Sequence, residues 1–139
     1  RNAAMPKHIS DLPNVKVIPP VPYAQLPQHI GHWSAAWVPF VINEMTKAVN
    51  PLKLREYLAA GLAAACTPMP EAVAMGEHVA IVHDTETTLA WLSKVVDADS
   101  PAAQEARADA MASESWTQRA ADLRQFGAHL CATRVTPAI

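Results

Sequence analysis

Two charged residues one helical turn apart, Lys53 and Glu56, are the ones best placed to do chemistry. They sit in the segment Asn50-Pro51-Leu52-Lys53-Leu54-Arg55-Glu56-Tyr57-Leu58-Ala59-Ala60-Gly61. A lysine in the first turn of a helix adds a cation to the free N–H groups there, and that combination seats a phosphate. Glutamate brings two acceptor oxygens, which suit a pair of vicinal ribose hydroxyls. Residues three apart share a helix face, so Lys53 and Glu56 either address one ligand or pair with each other. On spacing alone the surface ion pair is the favoured reading, because such pairs are common and weak. Asn50 suits an N-cap, Pro51 the first helical position and Gly61 the residue just past the end. The segment therefore predicts a short helix bounded by its own chemistry.

The elements that must position this helix follow from alternating strand and helix signals. Strands are predicted at residues 15–18 (closed by Pro19 and Pro20), 36–38, 63–66 and 79–82. A helix is predicted over 23–33, with His29, Ile30 and Trp33 near one face, and a turn or short helix over 68–75. Asp84 or Thr85 caps a helix in which Leu89, Leu92 and Val96 recur at helical spacing. Ser100-Pro101 opens another, running to about Ser113. The last predicted helix runs from Ser115 to about Thr133 and carries Ala120, Leu123, Phe126 and Leu130; the tail with Pro137 is expected to fray. Residues 41–50 read as a polar loop containing Asn43, Glu44, Thr46 and Lys47.

Strands separated by helices imply βαβ units and an α/β fold with a doubly wound, mostly parallel sheet. Ligands of such sheets bind outside the carboxyl ends of the strands. Three pieces are expected there: the loop after Val17-Ile18, the loop 40–50, and the start of the Lys53 helix. Tyr23 and Pro22 are placed to flank a base, with Tyr23 equally readable as a packing residue. Thr46 and Asn50 can hydrogen-bond phosphate or sugar, with Asn50 equally readable as a cap alone.

A chain of 139 residues fits one domain around one core. Half the residues are hydrophobic and the net charge is −2, a balance in which nothing points to nucleic acid or an anionic membrane as a general partner. No apolar run approaches the ~20 residues of a spanning helix, and no signal peptide opens the chain. Cys66 and Cys131 form no metal-ligand pattern and read as reduced thiols of a cytoplasmic protein. His29 and His32 share a helix face without further ligands nearby, so no metal ion is expected. His78 and His83 read as loop residues, and Trp91 and Trp116 as packing anchors. The chain starts at Arg1 without an initiator Met, as a piece of a longer protein would.

Read onward, the Lys53 segment continues into Ala63-Ala64-Ala65-Cys66-Thr67-Pro68-Met69-Pro70-Glu71. The whole resembles the nucleotide-sugar-binding half of the group 1 GT-B glycosyltransferases. Their pattern there is Pro-Leu-Lys, two variable residues, Glu-Tyr-Leu-Ala-x-Gly, an apolar strand, then Thr and Pro-Glu. Further similar pieces are Asn14-Val15, Val21-Pro22-Tyr23 with Leu26-Pro27, Trp37-Val38-Pro39-Phe40, and Trp116-Thr117-Gln118-Arg119. The match runs from about residue 14 to about residue 125. The resemblance implies a Rossmann-like domain with helices on both faces of its sheet, one half of a two-domain protein. It implies a nucleoside diphosphate sugar as donor, without a cofactor or metal. Pro51, Leu52 and Lys53 would hold the diphosphate, with Lys53 the catalytic group, and Glu56 the ribose. The acceptor site would belong to an N-terminal domain that this chain does not contain. The expected location is cytoplasmic, with peripheral association of the full-length protein at the inner membrane face as an option. Helix 115–133 and the loop 40–50 are expected to border the missing domain.

The sequence also departs from the family pattern. Ala48 stands where many relatives carry a second glutamate, which leaves Glu44 as the nearest acid to grip the sugar. Pro19 replaces a frequent Gly, Leu62-Ala63 a frequent Lys-Pro, and Ser34 a frequent Asp. The usual first strand and helix, with a basic residue for the phosphates, are lacking. These departures keep two alternatives open: a non-catalytic α/β interaction domain with a degenerate nucleotide site, or half of a nucleotide-sugar epimerase.

Overall fold

The structure, a computed structural model, describes residues 5–134. Three parallel strands, β1 (Ala35–Val38), β2 (Ala63–Cys66) and β3 (Val79–Ile81), form a small open sheet in the order β1-β2-β3. Ala35 pairs with Ala63 and Val38 with Cys66; Ala64 pairs with Val79 and Cys66 with Ile81. Alanine is a weak strand former, and here burial overrides propensity. All four β2 residues are buried, and their small side chains let helices approach the central strand closely.

Parallel strands need a crossover. Between β1 and β2 it consists of the single turn α3 (Glu44–Lys47) and then α4 (Leu52–Ala59). Helix α4 therefore runs back along the sheet, with its N-terminus at the carboxyl ends of the strands. Leu54 and Leu58, four residues apart, are wholly buried in one core with Ala36, Val38, Ala64 and Cys66. Tyr57 meets the ring of Trp33 at 5.9 Å between centroids. Burial pushes the Tyr57 phenol up, and the neighbouring charge of Glu56 adds to this. With positions 54, 57 and 58 turned inward, Lys53 is left exposed and Glu56 partly so.

Helix α4 ends in a Schellman motif. The N–H of Gly61 donates to the Leu58 carbonyl at 2.8 Å, and that of Leu62 to the Tyr57 carbonyl at 3.0 Å. Gly61 has φ +79°, and a Cβ there would lie 3.2 Å from the carbonyl oxygen of Gln104 on α7 (Pro101–Ala112). Gly61→Ala is expected to cost about 1–3 kcal/mol, from left-handed strain plus displacement of α7. A fall in the urea midpoint at unchanged slope checks it.

Arg107 ties α7 to this turn. Its Nε donates to the Gly61 carbonyl at 2.9 Å, and its guanidinium to Asp99 Oδ1 at 2.7 Å. Burial works to raise the Asp99 carboxyl, but the hydrogen bonds from Arg107 and Gln104 outweigh it and hold the group below its ordinary range. A carboxyl lowered by folding adds stability above the ordinary aspartate range and loses it as pH falls through the lowered value. Asp99→Asn should therefore reduce the melting temperature at neutral pH. The difference from wild type should shrink on acidification, in melts taken down to about pH 3.

Three further helices follow or flank the sheet. Helix α6 (Thr85–Ala98) lies against β1 and β2, and Asp84 caps it by accepting from the Thr87 N–H at 2.8 Å. Those bonds from Thr87 lower the Asp84 carboxyl. Helix α5 (Pro70–Ala74) leads into β3, and α8 (Trp116–Arg134) closes the chain.

Not every predicted element forms. Residues 15–18 are not a strand: among the described residues they pair with no other strand, and Val17 stays 54% exposed. A strand needs a neighbour for its backbone groups, whatever its β-propensity. The helix predicted over 23–33 shortens to a 3-10 turn at Tyr23–Gln25 followed by α2 (Leu26–Ile30). A single turn, α1 (Lys7–Ser10), precedes them. The loop 41–50 contains α3, because Asn43 and Thr46 form a reciprocal capping box. The predicted frayed tail lies outside the described residues.

Candidate functional site

Two recesses flank α4. A groove of about 260 Å³ is lined by Tyr23, Leu26, Pro27, Ile30 and Glu56. A larger open cleft, about 890 Å³, lies at the other end, where Asn50, Leu52 and Arg55 face the start of α8. Glu56 lies within α4, whereas Asn50 lies in the segment just before it. The exposed Lys53 lies between them in sequence. Among the described residues neither Lys53 nor Glu56 has an ion-pair partner, so the local pair that spacing favours does not form.

The start of α4 differs from the expected one. Asn50 does not cap it: its Oδ1 accepts from Arg55 Nε at 2.9 Å, and Pro51, the residue preceding the helix, is buried and offers no side-chain cap. Arg55 draws the amide oxygen to the flank of the helix. Helices α3, α6 and α7 are capped by the side chains of Asn43, Asp84 and Ser100. The Leu54 N–H donates to the Pro51 carbonyl at 2.9 Å, and the N–H groups of Leu52 and Lys53 have no side-chain cap and keep their capacity for an anion.

The structure places the other candidates as follows. Tyr23 is 75% exposed and shares the groove with Glu56. Leu52 is exposed at the cleft. Thr46 is buried within its own loop: its hydroxyl donates to the Val41 carbonyl at 2.7 Å and accepts from the Asn43 N–H at 2.8 Å. It stabilises the loop and has no free hydrogen to offer a ligand. Glu44 is exposed and paired with Lys47 at 2.6 Å. Ala48 brings no acid to the site.

Sequence reasoning missed the polar centre of the cleft. Arg55 donates to Glu114 Oε2 at 2.6 Å and to Glu71 Oε2 at 3.2 Å, besides Asn50; Arg119 shares the same Glu114 oxygen. Glu114 lies 59 residues from Arg55, beyond any local pattern. A signal was nonetheless present: Glu71 belongs to the Pro-Glu and Arg119 to the Trp-x-x-Arg of the resemblance, and both converge on this cleft. Trp116, expected as a packing anchor, is 89% exposed on the cleft wall, because no described element covers that face of α8.

Elsewhere, no group of three metal-ligating side chains occurs among the described residues. His29 and His32 are exposed, and His83 donates its backbone N–H to Thr87 at 3.0 Å. Cys66 is buried in β2, with its thiol pushed up by burial, while Cys131 is exposed on α8. No described helix is long and apolar enough to cross a membrane. No family model matches the chain, and comparison with curated proteins and with solved structures finds no match.

Proposed function

We propose that the chain is the donor-binding part of a GT-B glycosyltransferase, which moves a sugar from a nucleoside diphosphate sugar to an acceptor. The observation that carries this reading is the exposed Lys53, without an ion-pair partner among the described residues, at the start of α4, which no side chain caps. On one side lies a groove with Tyr23 and Glu56, on the other a polar cleft. A base and ribose would take the groove, with Glu56 accepting from the ribose hydroxyls. The diphosphate would lie on Lys53 and the helix N–H groups. These donors stabilise the leaving diphosphate as its charge develops, which is electrostatic catalysis by groups already in place.

In this reading the three parallel strands belong to a Rossmann-like doubly wound sheet, and an N-terminal domain supplies the acceptor site. Exposed apolar residues on the loop before α4 (Val41, Met45) and on α8 (Leu123, Phe126) support a surface made for such a domain. The chain alone should then show negligible sugar transfer. The engagement of Thr46 and the lack of an acid at Ala48 favour a second reading, in which the site is degenerate and the domain serves interaction.

Thermal shift with UDP, GDP and ADP separates the two: the first reading expects stabilisation by at least one of them, the second by none. Glu56→Gln should then weaken the preferred ribonucleotide by roughly three- to tenfold and its 2′-deoxy analogue less, as expected when a charge-assisted hydrogen bond to the ribose becomes a neutral one. Equal losses would remove Glu56 from the ribose.

A further inference from the structure

We propose that the outer edge of β1 joins a second copy of this chain, the two edges pairing antiparallel across a two-fold axis so that two three-stranded sheets become one. This contact is independent of the nucleotide reading above.

Strand β1 is at the edge of the sheet, and among the described residues no strand lies beyond it. Successive residues of a strand send their backbone groups to opposite sides. The Thr67 N–H is directed at the Val38 carbonyl, so Val38 and Ala36 serve β2. Ala35 and Trp37 therefore turn their N–H and C=O groups outward. Sheet edges are commonly blunted by a charge, a proline or a bulge. Residues 35–38, Ala-Ala-Trp-Val, carry neither charge nor proline. Such an edge is a template for another strand.

The sheet face beside this edge is open as well. Ala36 and Val38 are buried with Leu54 and Leu58 on the α4 side. Trp37 therefore lies on the α6 side, where it is 54% exposed. Helix α6 turns Thr88, Trp91 and Val95 inward. Leu89, Leu92 and Val96 recur at spacings of three and four and form an exposed stripe. Leu89 and Leu92 share a recess of about 410 Å³ with Trp37, which puts the stripe on the β1 side.

The strand itself selects a second copy as its partner. With Ala35 of one copy opposite Trp37 of the other, all the outward groups of both residues are satisfied in a ladder of alternating pairs. The small Ala35 leaves room for the indole facing it, and the two indoles lie diagonally across the axis, within reach of each other. Sliding the pairing so that Trp37 faces Trp37 sets Ala35 against Pro39, which has no N–H to give. Sliding it the other way calls on Trp33, whose N–H already donates to the Ile30 carbonyl at 3.0 Å. The register that remains is its own mirror under a two-fold axis, and the α6 stripes meet across the same axis. Trp37, Leu89, Leu92 and Val96 expose roughly 400 Å² per copy, against about 800 Å² per partner in a standard interface. The dimer is therefore weak, with a Kd on the order of 10–100 μM. Glu86 and Asp97 border the stripe and bring like charges together, so added salt should tighten the dimer.

Sedimentation equilibrium of the full chain from about 1 to about 500 μM, with amide hydrogen exchange at both ends of that range, tests this. Association is expected to saturate at two copies, and the Ala35 and Trp37 amides to exchange about fivefold more slowly at the high concentration. Trp37→Lys sets two cations close together across the axis and should weaken dimerisation by roughly tenfold or more. Leu89→Lys, on α6 and away from the strand, should weaken it similarly and leaves β1 untouched should Trp37→Lys disturb the sheet. Circular dichroism at about 5 μM, where wild type is monomeric, shows whether each variant is folded. A wild-type chain that stays monomeric at the highest concentration overturns the assignment. So does a dimer that survives both substitutions, which would use another surface. Association that continues beyond two copies overturns it too, because this contact closes on itself.

Discussion

Lys53→Ala is expected to weaken binding of the preferred nucleoside diphosphate by roughly tenfold to a hundredfold, and to leave the parent nucleoside within about twofold. The magnitude is that of one charge-assisted hydrogen bond, about 1.5–3 kcal/mol. Because Lys53 is exposed, the lower half of that range is the better expectation, and the effect should shrink as salt is added. Folding should be unaffected, since the side chain makes no ion pair among the described residues. Titration calorimetry of diphosphate and nucleoside against both proteins separates the outcomes. Equal diphosphate affinity in wild type and variant would remove Lys53 from the phosphate seat, and with it the electrostatic mechanism.

Arg55→Ala should be the most damaging substitution at the site, and the damage should appear in stability. Arg55 joins the segment before α4 to α5 and to the turn before α8 through Asn50, Glu71 and Glu114. Its removal leaves Glu71 and Glu114 without their shared cation in a partly shielded place. A fully buried broken pair costs about 3–5 kcal/mol. These glutamates keep solvent access, so about 2–3 kcal/mol is expected, with Arg119 compensating in part at Glu114. Arg55→Lys should recover little, because the three bonds leave three separate guanidinium nitrogens and the single nitrogen of a lysine cannot reach all three partners. Urea unfolding measures the loss, and a double-mutant cycle with Glu114→Ala isolates the pair. A loss below about 0.5 kcal/mol would show that α8 is held by other means.

What the sequence determined by itself was what short-range chemistry settles. Pro51 and Gly61 bound α4, and Leu54 and Leu58 turn it toward the sheet, so Lys53 and Glu56 must point outward. Asp84 and Ser100 likewise mark helix starts, because a cap needs only residues three apart. The tertiary structure decided everything that depends on a distant partner. Residues 15–18 carry strand propensity but have no neighbouring strand among the described residues, and remain irregular. Asn50 has the chemistry of a cap and loses that role to Arg55, which is itself oriented by Glu71 and Glu114 from two other elements. Spacing favoured an ion pair between Lys53 and Glu56, yet that weak local attraction does not hold their side chains together once the helix is docked. The cleft itself was invisible in the chain, because residues from position 50 to position 126 meet there only after α4, α5 and α8 have packed.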